Sequence, residues 1–301
     1  MLVLTLLACG NVSNAVFAED AEFVAALPAE DRTTLDLPGT SLVSGTKAEL
    51  GEVPELLAIS LDVAVTVNSA IFDILGLVDD VRTIAPSART RDTRSWGPLP
   101  ACGGDLTAEV VRSGASQFDW RFNGANALGS ADFLTGTHYA GSSVAAGDGQ
   151  FTWDHARYGA FCGEESAGRL IVDYDNREGV DLLVTLDALQ SGTQDIWDAD
   201  YAYRYADESG DFQYLTTYDI EDDDTDELAT VAVRTRWSRT LGGRSDAVLT
   251  GGALEDRIVQ WTQCWGADLG MTYQHDSYAL TEDLGDASAC LYADFAEVDR
   301  L

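Results

Sequence analysis

The chain contains three histidines, the residues best suited to acid–base or metal chemistry near neutral pH: His138, His155 and His275. None of them has a second ligand at a metal-binding spacing such as HExxH. His155 and His275 each stand beside an aspartate, but adjacent residues of a strand point to opposite faces, so we do not expect acid–base dyads there. All three histidines are predicted to lie on the surface of strands.

Carboxylates are too numerous to select a catalytic pair from the sequence. The chain has 51 Asp and Glu residues, so some pair will lie at the separation used by glycosidases by chance. The nucleophile elbow, the phosphate loop and the dinucleotide fingerprint are all missing from the sequence. We therefore predict a protein that is not an enzyme and that carries no cofactor.

The densest acidic run, residues 219–227, is the local pattern that most favours a cation. Its candidate calcium ligands are Asp222, Asp223, Asp224 and Asp226. An EF-hand loop starting at Asp219 would need Gly at its sixth position and Glu at its twelfth. Those positions hold Asp224 and Thr230, so we predict a solvated loop with at best weak calcium affinity.

Cys9 carries the most specific signal in the chain. An apolar run, residues 2–8, ends in Leu-Leu-Ala directly before Cys9 and Gly10. This arrangement is typical of a bacterial lipobox, in which a small residue precedes the cysteine that receives diacylglycerol. A signal segment normally has a basic residue before its apolar run, and none precedes this one. The segment could therefore begin upstream of Met1. We predict a signal segment over 1–8 and a lipid anchor on Cys9 in a bacterial cell envelope, at the outer membrane.

The other four cysteines are an even number, which suits an oxidising compartment. They are Cys102, Cys162, Cys264 and Cys290. Four cysteines allow three connectivities, of which pairing between sequence neighbours is the simplest. No CxxC pair or Cys/His cluster at zinc spacing accompanies them, so a metal centre is not predicted.

The net charge of −33, from 18 basic and 51 acidic residues, excludes polyanionic partners. Nucleic acid and anionic lipid head groups would be repelled. The basic residues cluster at one place, where Arg82, Arg89, Arg91 and Arg94 lie close in sequence. Because the Gly-rich cradle of a phosphate loop is missing there, we expect these arginines to pair with carboxylates of the folded body.

Residues 54–84 form the strongest helical pattern, with apolar residues such as Leu57, Ile71 and Val78 on one repeating stripe. Several aspartates interrupt it, and each would cost about 2.5–3.5 kcal/mol at the centre of a bilayer. We predict a buried helix that is covered on more than one side. Residues 9–51, before it, are predicted to be a flexible tether.

From Asp105 onward the hydrophobic period changes to two, as in Phe118, Trp120 and Phe122. The pattern predicts about ten or more strands in an antiparallel meander, which must curl because large twisted sheets seldom stay flat. Charges such as Asp119 and Arg121 occupy the second face, unlike the apolar outer band of a membrane barrel. We therefore predict one mainly β (β-rich α+β) domain over 52–301. It should be a soluble barrel or half-barrel with the helix on its concave face.

The order of these segments resembles uncharacterised envelope lipoproteins of myxobacteria and their relatives. The resemblance rests on the lipobox, the long helix that closes on an Arg-rich stretch and Trp96-Gly97-Pro98, and a β body containing Gln263-Cys264-Trp265. It implies an envelope location and brings no activity or site residues. The curled sheet around a helix also resembles the half-barrel lipoprotein carriers of the Lol type.

Three functions follow as hypotheses. The first is a non-catalytic, envelope-anchored lipoprotein with a binding or structural role, whose one predicted partner is the membrane that holds its lipid anchor. The second is a carrier of an apolar small molecule or lipid inside the curled sheet. The third is a hydrolase whose carboxylates the sequence does not identify. Whether the concave face is empty or filled distinguishes the first two.

Overall fold

A computed structural model of the chain describes residues 14–39, 49–191, 197–218, 229–279 and 281–301. Its helices are α1 (Asn14–Ala25), α2 (Glu30–Thr33), α3 (Glu55–Arg82) and α4 (His155–Cys162). Its strands are β1 (Ala88–Arg89), β2 (Thr93–Ala101), β3 (Gly104–Arg112), β4 (Gln117–Asn126), β5 (Gly129–Ala140), β6 (Gly147–Asp154), β7 (Ser166–Asp175), β8 (Val180–Ser191), β9 (Trp197–Ala206), β10 (Ser209–Tyr218), β11 (Ala229–Ser238), β12 (Gly242–Gly251), β13 (Ile258–Trp265), β14 (Met271–Asp276) and β15 (Leu284–Gly285).

All fifteen strands form one antiparallel sheet in sequence order. Each strand pairs with the one before it, and β1 and β15 are the two free edges, so the sheet is open. The predicted mainly β fold with an antiparallel meander is confirmed. The sheet is not closed, so the structure agrees with the predicted half-barrel rather than with the predicted barrel.

Contacts at the two ends of α3 bring distant strands together. At its start, the Leu56 backbone N–H donates to Gln263 Oε1 on β13 over 2.8 Å. Just beyond its end, the Ile84 carbonyl accepts from Trp96 Nε1 on β2 over 3.1 Å. These strands are eleven steps apart in the sheet, roughly 53 Å at the usual strand spacing. The 28-residue helix is only about 42 Å long, so the sheet curves around it.

One face of α3 is buried against the concave side of the sheet. Its buried side chains, each at most 5% exposed, include Leu57, Leu61, Ile71, Leu75 and Val78. The opposite face is open, with Val65 49% and Phe72 43% exposed. The prediction that the helix is covered on more than one side is therefore wrong. The stretch Glu55–Phe72 also has the length and composition of a membrane span, and its buried face packs on the sheet.

The described part of the predicted tether, residues 14–39, belongs to the folded body, which corrects that prediction. Phe23, Leu27, Leu35 and Leu37 are each at most 3% exposed and join the core that α3 forms with the sheet. Phe23 lies edge-on to the Phe118 ring at 5.6 Å. The remainder of the predicted tether and the signal segment, including Cys9, lie outside the described residues except for positions 49–51.

The arginine cluster pairs with carboxylates, as predicted. Asp20 on α1 accepts from Arg94 Nε at 2.5 Å and from Arg89 Nε at 2.9 Å. Burial opposes ionisation of Asp20, but the hydrogen bonds from Arg94 and Arg89 outweigh it and lower the pKa of this carboxyl. This network fastens α1 to the first edge of the sheet.

Two disulfides join sequence neighbours, so the simplest of the three possible connectivities is confirmed. Cys102–Cys162 ties the β2–β3 turn to the end of α4. Cys264–Cys290 ties β13 to residues 286–301, which we call the C-terminal strap. The strap crosses the outer face of the sheet. There Arg244 donates to the carbonyls of Tyr292 and Ala293 at 3.0 and 2.8 Å.

Glycines opposite large rings allow those rings to lie flat on neighbouring strands. Gly210 on β10 pairs with Trp237 on β11, and a side chain at Gly210 would overlap the Trp237 ring. Trp237 is 1% exposed. The same relation holds between Gly136 and Trp120 on β5 and β4. These rings on the inner face thus pack where the residue opposite them, on the neighbouring strand, is a glycine without a side chain.

Gly210→Ala should lower the free energy of unfolding by about 1–3 kcal/mol, because the added methyl group overpacks the core at Trp237. Gly76→Ala is the matched control. Gly76 lies in α3 with open space where its Cβ would be, so this change should stabilise by about 0.5–1 kcal/mol. Denaturant unfolding measures both variants. Equal stability of the Gly210→Ala variant and wild type would contradict the packing described here.

Candidate functional site

A groove of about 720 Å³ lies between the open face of α3 and the adjoining ends of β8, β9 and β11. We call it the helix groove. Its lining residues are Asp31, Thr34, Leu35, Asp36, Val65, Asn68, Ser69, Phe72, Val180, Tyr203, Tyr205 and Arg239. The volume is in the range of ligand-binding sites. On α3, Val65 and Phe72 are two turns apart, about 10 Å along the axis.

The polar side chains of the groove wall are already hydrogen-bonded within the protein. Asn68 accepts from the Leu35 N–H and donates to the Leu35 carbonyl, both at 2.8 Å. Ser69 Oγ donates to the Val65 carbonyl at 2.8 Å. The Tyr203 hydroxyl accepts from the Asp36 N–H at 3.1 Å and donates to the Asp36 carbonyl at 3.3 Å. The wall therefore offers mainly apolar surface to a ligand.

Charge is concentrated at the mouth of the groove. Asp36 pairs with Arg239, and the two side chains are 58% and 55% exposed. The Arg239 guanidinium also lies 5.3 Å from the centre of the Tyr205 ring. Asp31 is 83% exposed and lies 3.6 Å from Arg32. The groove thus combines an apolar floor with a charged, solvent-exposed rim.

The concave face of the sheet is filled by protein. Inward-pointing side chains from β2 to β13 are buried in one continuous cluster with residues of α1 and α3. Rings touch each other across this face, as where Trp120 lies 6.2 Å from Phe151, and Phe151 lies 6.5 Å from Tyr174. Core side chains therefore occupy the interior of the curled sheet, and the helix groove lies outside this interior.

His138 is buried, so its prediction as a surface histidine is wrong. It is 1% exposed. Its Nε2–H donates to the Val144 carbonyl at 2.7 Å, and its Nδ1 lies 2.9 Å from the Tyr174 hydroxyl. Because a carbonyl only accepts, the neutral ring is protonated at Nε2, and Tyr174 donates to Nδ1. Burial lowers the pKa of His138, and the nearby Arg32 cation lowers it further.

The two remaining histidines differ from each other. His155 is the first residue of α4 rather than a strand residue, and Trp153 Nε1 donates to its Nδ1 at 3.1 Å. Burial lowers the pKa of His155. His275 lies exposed on β14, as predicted. Its Nδ1 lies 2.8 Å from Asp283 Oδ1, so its carboxylate partner is Asp283 and not its sequence neighbour Asp276. None of the three histidines lines the helix groove.

The three buried carboxylates of the described residues are each neutralised or hydrogen-bonded where they lie. Asp20 binds the arginines of the first edge. Asp246, whose side chain is fully buried, lies 2.8 Å from Arg244 and 3.0 Å from Arg236 beneath the C-terminal strap. Asp276 accepts from Thr281 Oγ1 at 2.7 Å. Asp20 lies at the first edge of the sheet, whereas Asp246 and Asp276 lie two strands apart, on β12 and β14, and point to opposite faces of the sheet.

Several predicted site residues fall outside the described part of the chain. These are Cys9 and the four calcium candidates, Asp222, Asp223, Asp224 and Asp226. Within the described ranges, no group of three or more His, Cys, Asp or Glu side chains is placed to hold a metal ion.

The helix groove did not emerge from the sequence, although its signal is visible there. Val65 and Phe72 lie seven residues apart on the α3 stripe that also carries Asp62, away from the stripe through Leu57 and Ile71. A helix with two apolar faces predicts one packed face and one contact face. We instead assigned both faces to the core from the sequence.

No protein-family model, curated protein or solved structure matches this chain.

Acidification should destabilise the protein through His138. The unfolded state takes up a proton near pH 6.5, whereas burial keeps His138 neutral to a lower pH, so the unfolded state binds more protons and stability falls as pH decreases below about 6.5. His138→Gln should flatten this decline between pH 7.5 and about 5. His275→Gln, which removes an exposed imidazole, is the control. A wild-type slope in the His138→Gln variant would contradict the burial described here.

Proposed function

We propose that this protein is a non-catalytic lipoprotein of the bacterial envelope, anchored through Cys9, that binds a partner at its surface. The observation that carries the binding role is the helix groove, an open apolar surface on a body whose interior is full. The lipid anchor is proposed from the lipobox pattern at residues 2–10. The resemblance to myxobacterial envelope lipoproteins points to the same compartment.

The disulfides support an exported location. Cys102–Cys162 and Cys264–Cys290 use all four cysteines other than Cys9. Such bonds persist in oxidising compartments and are rare in the cytosol. Cys9 is then the single cysteine left for a lipid.

Two features support a binding rather than a catalytic role. The buried carboxylates Asp20, Asp246 and Asp276 have partners of their own, and the two nearest in the sheet, Asp246 and Asp276, point to opposite faces. A hydrolase would instead need two carboxylates that converge on one cleft. His138 is enclosed between Tyr174 and Val144, away from the helix groove.

The packing of the concave face makes a carrier the weaker alternative. A lipid or apolar molecule carried inside the curled sheet would need the space that α3 and the inner rings occupy. Opening that space would expose the apolar face of α3 to water, at a cost of about 1.5–3 kcal/mol for each large side chain.

Intact-mass analysis of protein extracted from membranes should show an acylated chain that begins at Cys9. Cys9→Ser should move the protein to the soluble fraction, because one thiol carries the whole anchor. The matched control adds Ser13→Cys to the Cys9→Ser variant, which restores a thiol outside the lipobox and should not restore anchoring. Membrane association of the Cys9→Ser protein, or a soluble wild type that retains Met1, would refute the anchor.

A further inference from the structure

The outward face of α3 is organised like a docking surface. Its exposed positions run through Asp62, Val65, Ser69, Phe72 and Gly76 to a second acidic end at residues 79–80. The centre of the stripe is apolar or small, and the acidic residues stand at its ends. Open space surrounds the position where a Gly76 side chain would be. Apolar anchors spaced by seven residues suit a partner helix that lies alongside.

Acidic side chains surround this apolar centre. Asp31 and Asp36 form the mouth of the helix groove, with 83% and 58% of their side chains exposed. Asp79, at the far end of the stripe, is 56% exposed. Each of these three aspartates already pairs with an arginine: Asp31 with Arg32, Asp36 with Arg239 and Asp79 with Arg82. Asp62 and Asp80 on the stripe are also exposed and form no ion pair within the described residues. The surface therefore keeps an excess of negative charge, and the charge that complements it is positive.

We propose that the helix groove and the outward face of α3 bind a basic amphipathic helix of a partner protein. In the complex, apolar side chains of the partner fill the space between Val65, Phe72 and Tyr205. Its lysines or arginines meet Asp62 and Asp80 at the two ends of the stripe. This inference rests on the proposed binding function and names the class of partner.

The hydrogen-bonding state of the groove favours a peptide side chain over a small polar ligand. Specific small-molecule sites place a few polar groups to orient the ligand. Here Asn68, Ser69 and Tyr203 are already bonded to backbone groups of residues 35, 65 and 36. The wall can therefore contribute apolar contact, and specificity comes from the charged rim.

The test uses the full-length protein and two synthetic helical peptides of about 18 residues. Both carry leucines on one face, and the other face carries lysines in one peptide and glutamates in the second. Binding is measured by fluorescence anisotropy at about 0.15 M salt, because salt at this concentration screens long-range attraction by the whole acidic body. The lysine peptide should bind, and a version with serine in place of leucine should bind at least tenfold more weakly. The glutamate peptide should not bind.

Protein variants locate the binding. Val65→Ser combined with Phe72→Ser should weaken binding of the lysine peptide at least tenfold, while Phe72→Leu should retain most of it. The matched control, Leu128→Ser with Ile258→Ser, removes two exposed apolar side chains away from the groove, 89% and 59% exposed, and should bind as wild type does. Thermal unfolding checks that each variant is folded.

Two results would overturn the proposal. One is equal binding of the lysine peptide to wild type and to the folded Val65→Ser, Phe72→Ser variant. The other is displacement of that peptide by decanoate or decylamine at similar concentrations, which would make the groove a small-amphiphile site. Both outcomes are independent of whether Cys9 carries a lipid, so they test the partner class separately from the envelope location.

Discussion

The contact between α3 and the concave side of the sheet organises the rest of the molecule. A fifteen-stranded open sheet has one face too large for its own strands to cover, and the buried stripe of α3 covers it together with residues 14–39. Five side chains of that stripe, each worth about 1.5–3 kcal/mol on burial, match the net stability of an ordinary domain. A chain of hydroxyls from Ser60 through Thr235 to Ser245, with 2.8 Å at each step, fixes where the helix lies across the strands.

The same contact decides what is left for function. Because the interior is filled, only the surface is open to a ligand, and the side of α3 that faces away from the sheet supplies an apolar part of that surface. The outer face of the sheet is used differently. There Arg234, Arg236 and Arg244 hold the C-terminal strap through its backbone carbonyls. Asp246 pairs with Arg236 and Arg244, and Asp211 pairs with Arg234. One face of the sheet is thus closed by a helix and part of the other by a strap.

The sequence predicted what depends on local pattern. Alternation such as Phe118, Trp120 and Phe122 gave the strands, and cysteine order gave the disulfides. Features that depend on distant partners were missed. Residues 14–39 were assigned to a tether because Asp20 finds Arg89 only 69 positions later in the chain. Burial of His138 depends on Tyr174, two strands away. The helix groove exists only once α3 is seated, since its opposite wall comes from β8 and β9.

The central claim is that α3 is a core element with one buried and one open face, and a pair of charge substitutions tests it most directly. Thermal unfolding of Ile71→Asp should show a loss of at least about 3 kcal/mol or no folded state, because the carboxylate would be buried without a partner. Val65→Asp, six residues earlier and on the open face of the same helix, should stay within about 1 kcal/mol of wild type. Wild-type stability of the Ile71→Asp protein would contradict the account, as would equal losses in the two variants.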